Sequence, residues 1–174
     1  QSTCKDRIPV FLILKVFDIS SFQPLVFGFS DTVYYYKETD TETIDIDLRP
    51  EKDIIVRVTY SLDEESGVLN WKFLTLDPNT FQLIENINAG FLPPNKTSPE
   101  GEGHVLYSIQ PLEGLTDKTL INNTAHIVFD WNESIITNTW SNSTDNTPPE
   151  SEVLDLPSKV WTTDFNVNWQ GNDI

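Results

Sequence analysis

Methionine is absent from the 174 residues, and alanine occurs only at Ala89 and Ala125. Helical proteins draw on both freely, so their scarcity argues against a chain built of helices. Cysteine occurs once, at Cys4, which leaves no partner for an internal disulfide; a free thiol is expected, with a bond between chains as the alternative. No window of about 18 consecutive apolar residues exists, so no membrane-spanning helix is encoded. Basic residues are few, 11 Lys and Arg against 27 Asp and Glu, for a net charge of −16. Such a surface repels nucleic acid and anionic membranes. It favours cations, Ca²⁺ above all, although acidity also serves plain solubility. There is no Gly-x-Ser-x-Gly elbow, no His-Glu-x-x-His helix and no glycine-rich phosphate loop. His104 and His126 stand alone, without a second ligand at zinc spacing. A glycosidase-like carboxylate pair would need one buried acid in a cleft, and nothing marks one. The chain is therefore read as non-catalytic. The missing initiator Met is expected of a processed chain or a fragment.

What the sequence does have is alternation of period two. Ile54, Val56, Val58 and Tyr60 share one face of a segment whose other face holds Arg57 and Thr59. Leu69, Trp71 and Phe73 alternate with Asn70 and Lys72, while Val105, Tyr107 and Ile109 form a third row. Ile44, Ile46 and Leu48 stand against Asp45 and Asp47. Over residues 120–131, Ile121, Ala125, Ile127, Phe129 and Trp131 are predicted to point inward, and over 164–170 so are Phe165, Val167 and Trp169. With 20 aromatic residues beside many β-branched ones, each row predicts a half-buried strand of a layered all-β protein. Asp63-Glu-Glu-Ser-Gly67 predicts a hairpin loop, Asp77-Pro-Asn-Thr80 a turn, and residues 90–103 a long loop.

The two ends differ from the middle. Residues 8–17 are almost unbroken apolar sequence, predicting a strand buried on both faces or covered by a partner. Residues 142–150 are polar and proline-terminated, as interdomain linkers are. Beyond them lie about two strands, too few to bury a core. The expected organisation is thus a sandwich over residues 1–141, with 1–17 an atypical apolar strand segment. A linker over 142–150 and residues 151–174 follow, the last being either the first strands of a second domain or a strand-donating tail.

Several motifs recur in an order seen elsewhere: Gly67-Val-Leu-Asn-Trp71, Leu76-Asp-Pro78, Gly90-Phe-Leu-Pro-Pro-Asn95, Gly101-Glu-Gly103, Ile127-Val-Phe-Asp-Trp-Asn132, Ile136-Thr-Asn138 and Asp145-Asn-Thr-Pro-Pro149. Over residues 18–150 this series resembles an immunoglobulin-like conserved-repeat module of very large secreted or cell-surface proteins of bacteria and archaea. Residues 1–17 depart from that pattern. Glu152-Val-Leu and Phe165-Asn-Val-Asn-Trp-Gln-Gly-Asn-Asp173 are similar to the way a following module begins. The resemblance implies an immunoglobulin-like antiparallel β-sandwich with extra terminal strands, an extracellular location, a structural role and no defined enzyme.

Candidate sites follow from both readings. Asp130, Asn132, Asp145, Asn146 and Glu102 are candidate Ca²⁺ ligands, with Glu100 and Asp173 as further oxygens; turn capping is the competing role of such Asp and Asn side chains. Asn95, Asn122, Asn132 and Asn142 head Asn-x-Ser/Thr sequons and are candidate glycosylation sites. The run Tyr34-Tyr35-Tyr36 and the tryptophans outside the core, Trp140 and Trp161, could stack on sugar rings, while Trp71, Trp131 and Trp169 are expected inside. Ile8, Val10, Phe11, Leu12, Ile13 and Leu14, with Phe165, Val167 and Trp169, are the candidate assembly residues. Through them the chain would join other copies of itself, or adjacent domains of a parent protein, by β-strand addition. The functional expectation is a structural module of a surface or filament protein; the alternative is a carbohydrate-binding or adhesive module.

Overall fold

The alternating rows at residues 44–47, 55–60, 69–73 and 105–109 all fall on strands. The computed structural model describes residues 7–84, 86 and 88–173, so Cys4 lies outside the described residues. Among these residues there is no helix, and the strands are paired antiparallel throughout. The chain falls into two compact units, Gln1–Glu113 with Asn122–Ser141, and Gly114–Ile121 with Asn142–Ile174.

The first unit is a sandwich of two sheets. The larger is built from β1 (Arg7–Ile13), β4 (Thr43–Asp47), β5 (Ile55–Asp63), β6 (Val68–Leu76), β9 (His126–Ile127) and β10 (Ile135–Ile136), in the order β10-β9-β1-β6-β5-β4. The smaller contains β2 (Phe17–Phe29), β3 (Thr32–Tyr35) and β7 (Gly103–Pro111), in the order β3-β2-β7. Register places Ile8 opposite Phe73, Phe73 opposite Val58 and Val58 opposite Ile44, so one row of apolar side chains crosses four strands. The next row sets Trp71 between Val10 and Tyr60. These rows meet Phe27 and Phe29 from β2, which makes a core fed by both sheets.

Aromatic rings form much of that core. Trp71 is fully buried, with ring centroids 5.5 Å from Tyr60 and 5.9 Å from Tyr36. Phe27 lies edge-on to Phe73 at 5.9 Å. Such pairs add roughly 0.5–1.5 kcal/mol beyond the area they bury. The long loop before β7 contributes too: Phe91 is buried edge-on to Phe29 at 5.1 Å, and Lys52 Nζ donates to the Phe91 carbonyl at 2.9 Å. The loop is thus a plug in the core, not only a connection. The β5–β6 hairpin turns where the sequence puts it. Asp63 Oδ1 accepts from the backbone N–H groups of Glu65 and Ser66, and Gly67 takes φ +69°.

Four expectations change. The apolar run of residues 8–17 finds its partners in its own chain: β1 pairs with β6 over its whole length and with β9 at Val10 and Phe11. Ile8, Leu12 and Leu14 lie in the core and Val10 packs against it, while Ile13 is exposed. Residues 120–131 are not one strand. β8 (Leu120–Asn123) pairs with β11 (Trp140–Ser143), and the chain breaks before β9. Asp130 then takes φ +55°, which throws Trp131 out of phase; its side chain is 87% exposed.

The remaining changes concern the second unit. Residues 142–150, expected as a linker, carry bonds of their own within this unit. Asn142 and Ser143 end β11, Glu150 opens β12 (Glu150–Val153), and residues between are tied to the segment 115–119. Strand structure at the C-terminal end is confined to β12 and β13 (Trp169–Asn172), which pair with each other as a two-stranded sheet. Trp169 is therefore 68% exposed: among the described residues of the unit no second layer covers it.

Candidate functional site

The candidate site lies in the first unit, where the smaller sheet stops short of the larger one. β7 forms an end of that sheet, and among the described residues it pairs with β2 alone. Val105, Tyr107 and Ile109 face inward, half-buried, as their alternation predicts; His104, Leu106 and Ser108 are exposed. Next to the start of β7 is a cavity of about 210 Å³. Its walls are apolar: Ile8 and Val10 from β1, Phe73 from β6, Phe29 from β2, and Ile127 and Phe129 from the β9 segment. Gly103 and His104 line it as well and are exposed, so the cavity communicates with solvent on that side.

Glycine shapes this region. Gly28 stands across from His104 in the β2–β7 ladder, and a Cβ there would come within 2.3 Å of the His104 ring. A side chain at position 28 would require the imidazole to move. Gly101 is held close to Asn95, whose backbone nitrogen would be 2.5 Å from an added Cβ. Asn95 in turn accepts from the Gly101 N–H and donates to Glu102.

The proposed Ca²⁺ ligands are divided between the two units. Glu102, Asp130 and Asn132 belong to the first unit, Asp145 and Asn146 to the second. Among the described residues no three Asp, Glu, His or Cys side chains converge as metal ligands would. Several of them make hydrogen bonds to turn and loop groups. Asn132 Nδ2 donates to the Phe129 carbonyl at 2.7 Å, and Asp145 Oδ1 accepts from the Thr147 N–H. Asn146 Nδ2 donates to the Leu115 carbonyl, and its N–H donates to Asp117. Glu102 accepts from Asn95 and Ser98, and these donors hold its carboxyl below the usual range. Asp63, Asp77 and Asp117 are lowered by donors from turns, with the Ser66, Thr80 and Thr147 groups making the largest contributions. Carboxylates in this chain organise its loops. The sequon residues Asn95, Asn122, Asn132 and Asn142 are all exposed.

Aromatic residues divide sharply. Tyr34 and Tyr36 pack on Phe27, and burial pushes the Tyr36 hydroxyl well above its ordinary pKa; Tyr35 is exposed. Trp131, Trp140 and Trp161 are 87%, 71% and 90% exposed, each in contrast to Trp71. In the second unit Val153, Phe165 and Val167 are exposed along with Trp169.

The sequence reading missed the cavity and the bare flank of β7. One signal was present: residues 103–111 contain no Lys, Arg, Asp or Glu in a chain where charged residues make up 22%.

Comparison with known proteins adds a label but no activity. Residues 72–143, from within β6 to the end of β11, are similar to a domain of unknown function (DUF7619). No curated protein and no solved structure matches the chain.

Proposed function

We propose that this chain is a non-catalytic structural module of an extracellular surface or filament protein, and that it associates with neighbouring copies through β-strand addition. The observation that carries the reading is the second unit. There a two-stranded sheet stands with both flanks unpaired among the described residues, and Val153, Phe165, Val167 and Trp169 are exposed around it. Apolar side chains beside open strand flanks are stabilised when another strand joins them, because backbone and apolar groups are satisfied together. The extracellular location is supported by four exposed sequons and a net charge of −16. The antiparallel sandwich of the first unit is compatible with the immunoglobulin-like repeat that the motif series resembles.

Sedimentation velocity over a wide concentration range tests the proposal. The expected result is a sedimentation coefficient that rises with concentration; a single monomeric species throughout would overturn it.

A second reading, carbohydrate binding, is favoured by one observation: Trp131, Trp140 and Trp161 are far more exposed than tryptophan usually is. A glycan-array screen is the test. Hits lost on replacing these tryptophans with Ala would favour this reading, and the absence of any hit would remove it.

A further inference from the structure

Four strands end the two sheets of the first unit: β10 and β4 in the larger, β3 and β7 in the smaller. An unpaired strand flank invites another strand, and proteins guard such flanks by keeping them short or charged. Three of the four are guarded in this way. β10 has 2 residues, β3 has 4, and β4 has 5, including Asp45 and Asp47. β7 is different. It has 9 residues, Gly-His-Val-Leu-Tyr-Ser-Ile-Gln-Pro, without a single Lys, Arg, Asp or Glu, and only its terminal Pro111 is of the guarding kind.

The cavity lies beside this bare strand. It is lined by Gly103, His104 and Val105 of β7 on one side and by Ala125, Ile127 and Phe129 on the other. Side chains of a strand alternate between its faces. A strand added along β7 would therefore direct alternate residues towards the larger sheet, and the cavity is where the first of them would arrive. At about 210 Å³ it exceeds the roughly 150 Å³ of an apolar cavity known to admit benzene, so an aromatic ring or a branched aliphatic side chain fits.

The chain itself contains a segment of matching pattern. In Asp164-Phe-Asn-Val-Asn-Trp-Gln170 the apolar residues alternate, and Phe165, Val167 and Trp169 are all half-exposed or more. Residues 165–168 belong to no strand. Between Phe165 and Trp169 there is no charged residue, and β7 has none either, so pairing the two would bury no ionised side chain. Pattern, exposure and charge together favour a second copy of this chain as the occupant.

We propose that residues 165–169 of one copy add as a strand to β7 of a second copy and seat an apolar side chain in the cavity. The proposal rests on the assembly reading above and names its donor and its acceptor. A contact of this kind is heterologous: it closes into a dimer if exchanged reciprocally and propagates into a filament if not.

Complementation between two variants tests it. Val167→Asp impairs the donor at an exposed position, and Ala125→Leu fills the acceptor cavity; Leu106→Lys, which charges β7 at an exposed position, replaces the latter if Ala125→Leu does not fold. Circular dichroism and thermal melts establish folding. Sedimentation velocity is then run on wild type, on each variant alone, and on their equimolar mixture. Wild type is expected to associate. Each variant alone should associate about tenfold more weakly or less, as on loss of a central buried contact. The mixture should recover heterodimers and nothing larger, since it holds one competent donor and one competent acceptor. If wild type associates and both variants associate equally well, this site is wrong while the assembly reading stands. If wild type is monomeric at every concentration, both are overturned.

Discussion

Thr75 lies on β6, on the same face as Trp71 and Phe73, and opposite Val56 of β5. It is fully buried, yet among the described residues its hydroxyl has no hydrogen-bond partner. A hydroxyl buried without a partner costs about 1–3 kcal/mol in proteins. Thr75→Val removes that group and keeps the β-branched shape, so strand propensity and packing change little. The expected effect is a stabilisation of about 1 kcal/mol, the low end of the range, because the surroundings relax around an unpaired group. In thermal unfolding this corresponds to a midpoint higher by roughly 2–6 °C for a domain of this size. Urea unfolding followed by tryptophan fluorescence reads the same quantity, and an unchanged denaturant slope would show that compactness is not altered. A loss of about 1 kcal/mol or more would refute the reasoning, since it would mean that the hydroxyl is hydrogen-bonded in the folded protein. Among the described residues the indole N–H of Trp71 and the hydroxyl of Tyr36 are buried without partners as well, but their rings are too large to exchange so neutrally.

Two further outcomes follow from burial and charge. Trp71→Ala should cost about 3–5 kcal/mol, whereas Trp131→Ala, at a position 87% exposed, should fall within about 0.5 kcal/mol of wild type; chemical denaturation of the pair checks the difference. Asp47 is lowered to about 2 by its Arg49 partner, and Asp63 and Asp77 are lowered by turn N–H groups. A folded pKa below the unfolded one gives stability that is present above about pH 4 and is lost as pH falls towards 2. Protonation also relieves the self-repulsion of an acidic chain, so the comparison is made with Asp77→Asn: its melting midpoint should lie below that of wild type at pH 7, and the gap should close by pH 2. A gap that persists unchanged to pH 2 would show that the Asp77 carboxylate is not the source of the effect.

The sequence by itself determined the strands and the turns. Residues 54–60 and 69–73 and the row Val105, Tyr107, Ile109 alternate with period two, and that pattern is local; so is the Asp63 turn, whose carboxylate reaches N–H groups two and three residues on. The all-β class follows from these segments. Alternation states which side chains share a face, but not whether anything covers that face. Trp71 and Trp169 occupy equivalent places in their alternating runs, and one is sealed between two sheets while the other lies on a hairpin that, among the described residues of its unit, no second layer covers. Trp131 left its row because one backbone dihedral, at Asp130, turned. The residues 8–17, read as a strand in want of a partner, had one some sixty positions away in β6, a pairing that no local pattern encodes. The tertiary structure alone decided which strands became neighbours, and therefore which flank was left bare. β7 ended a sheet because the smaller layer has only β3 and β2 beside it, and the cavity opened there because coverage of the larger sheet ran out at that strand.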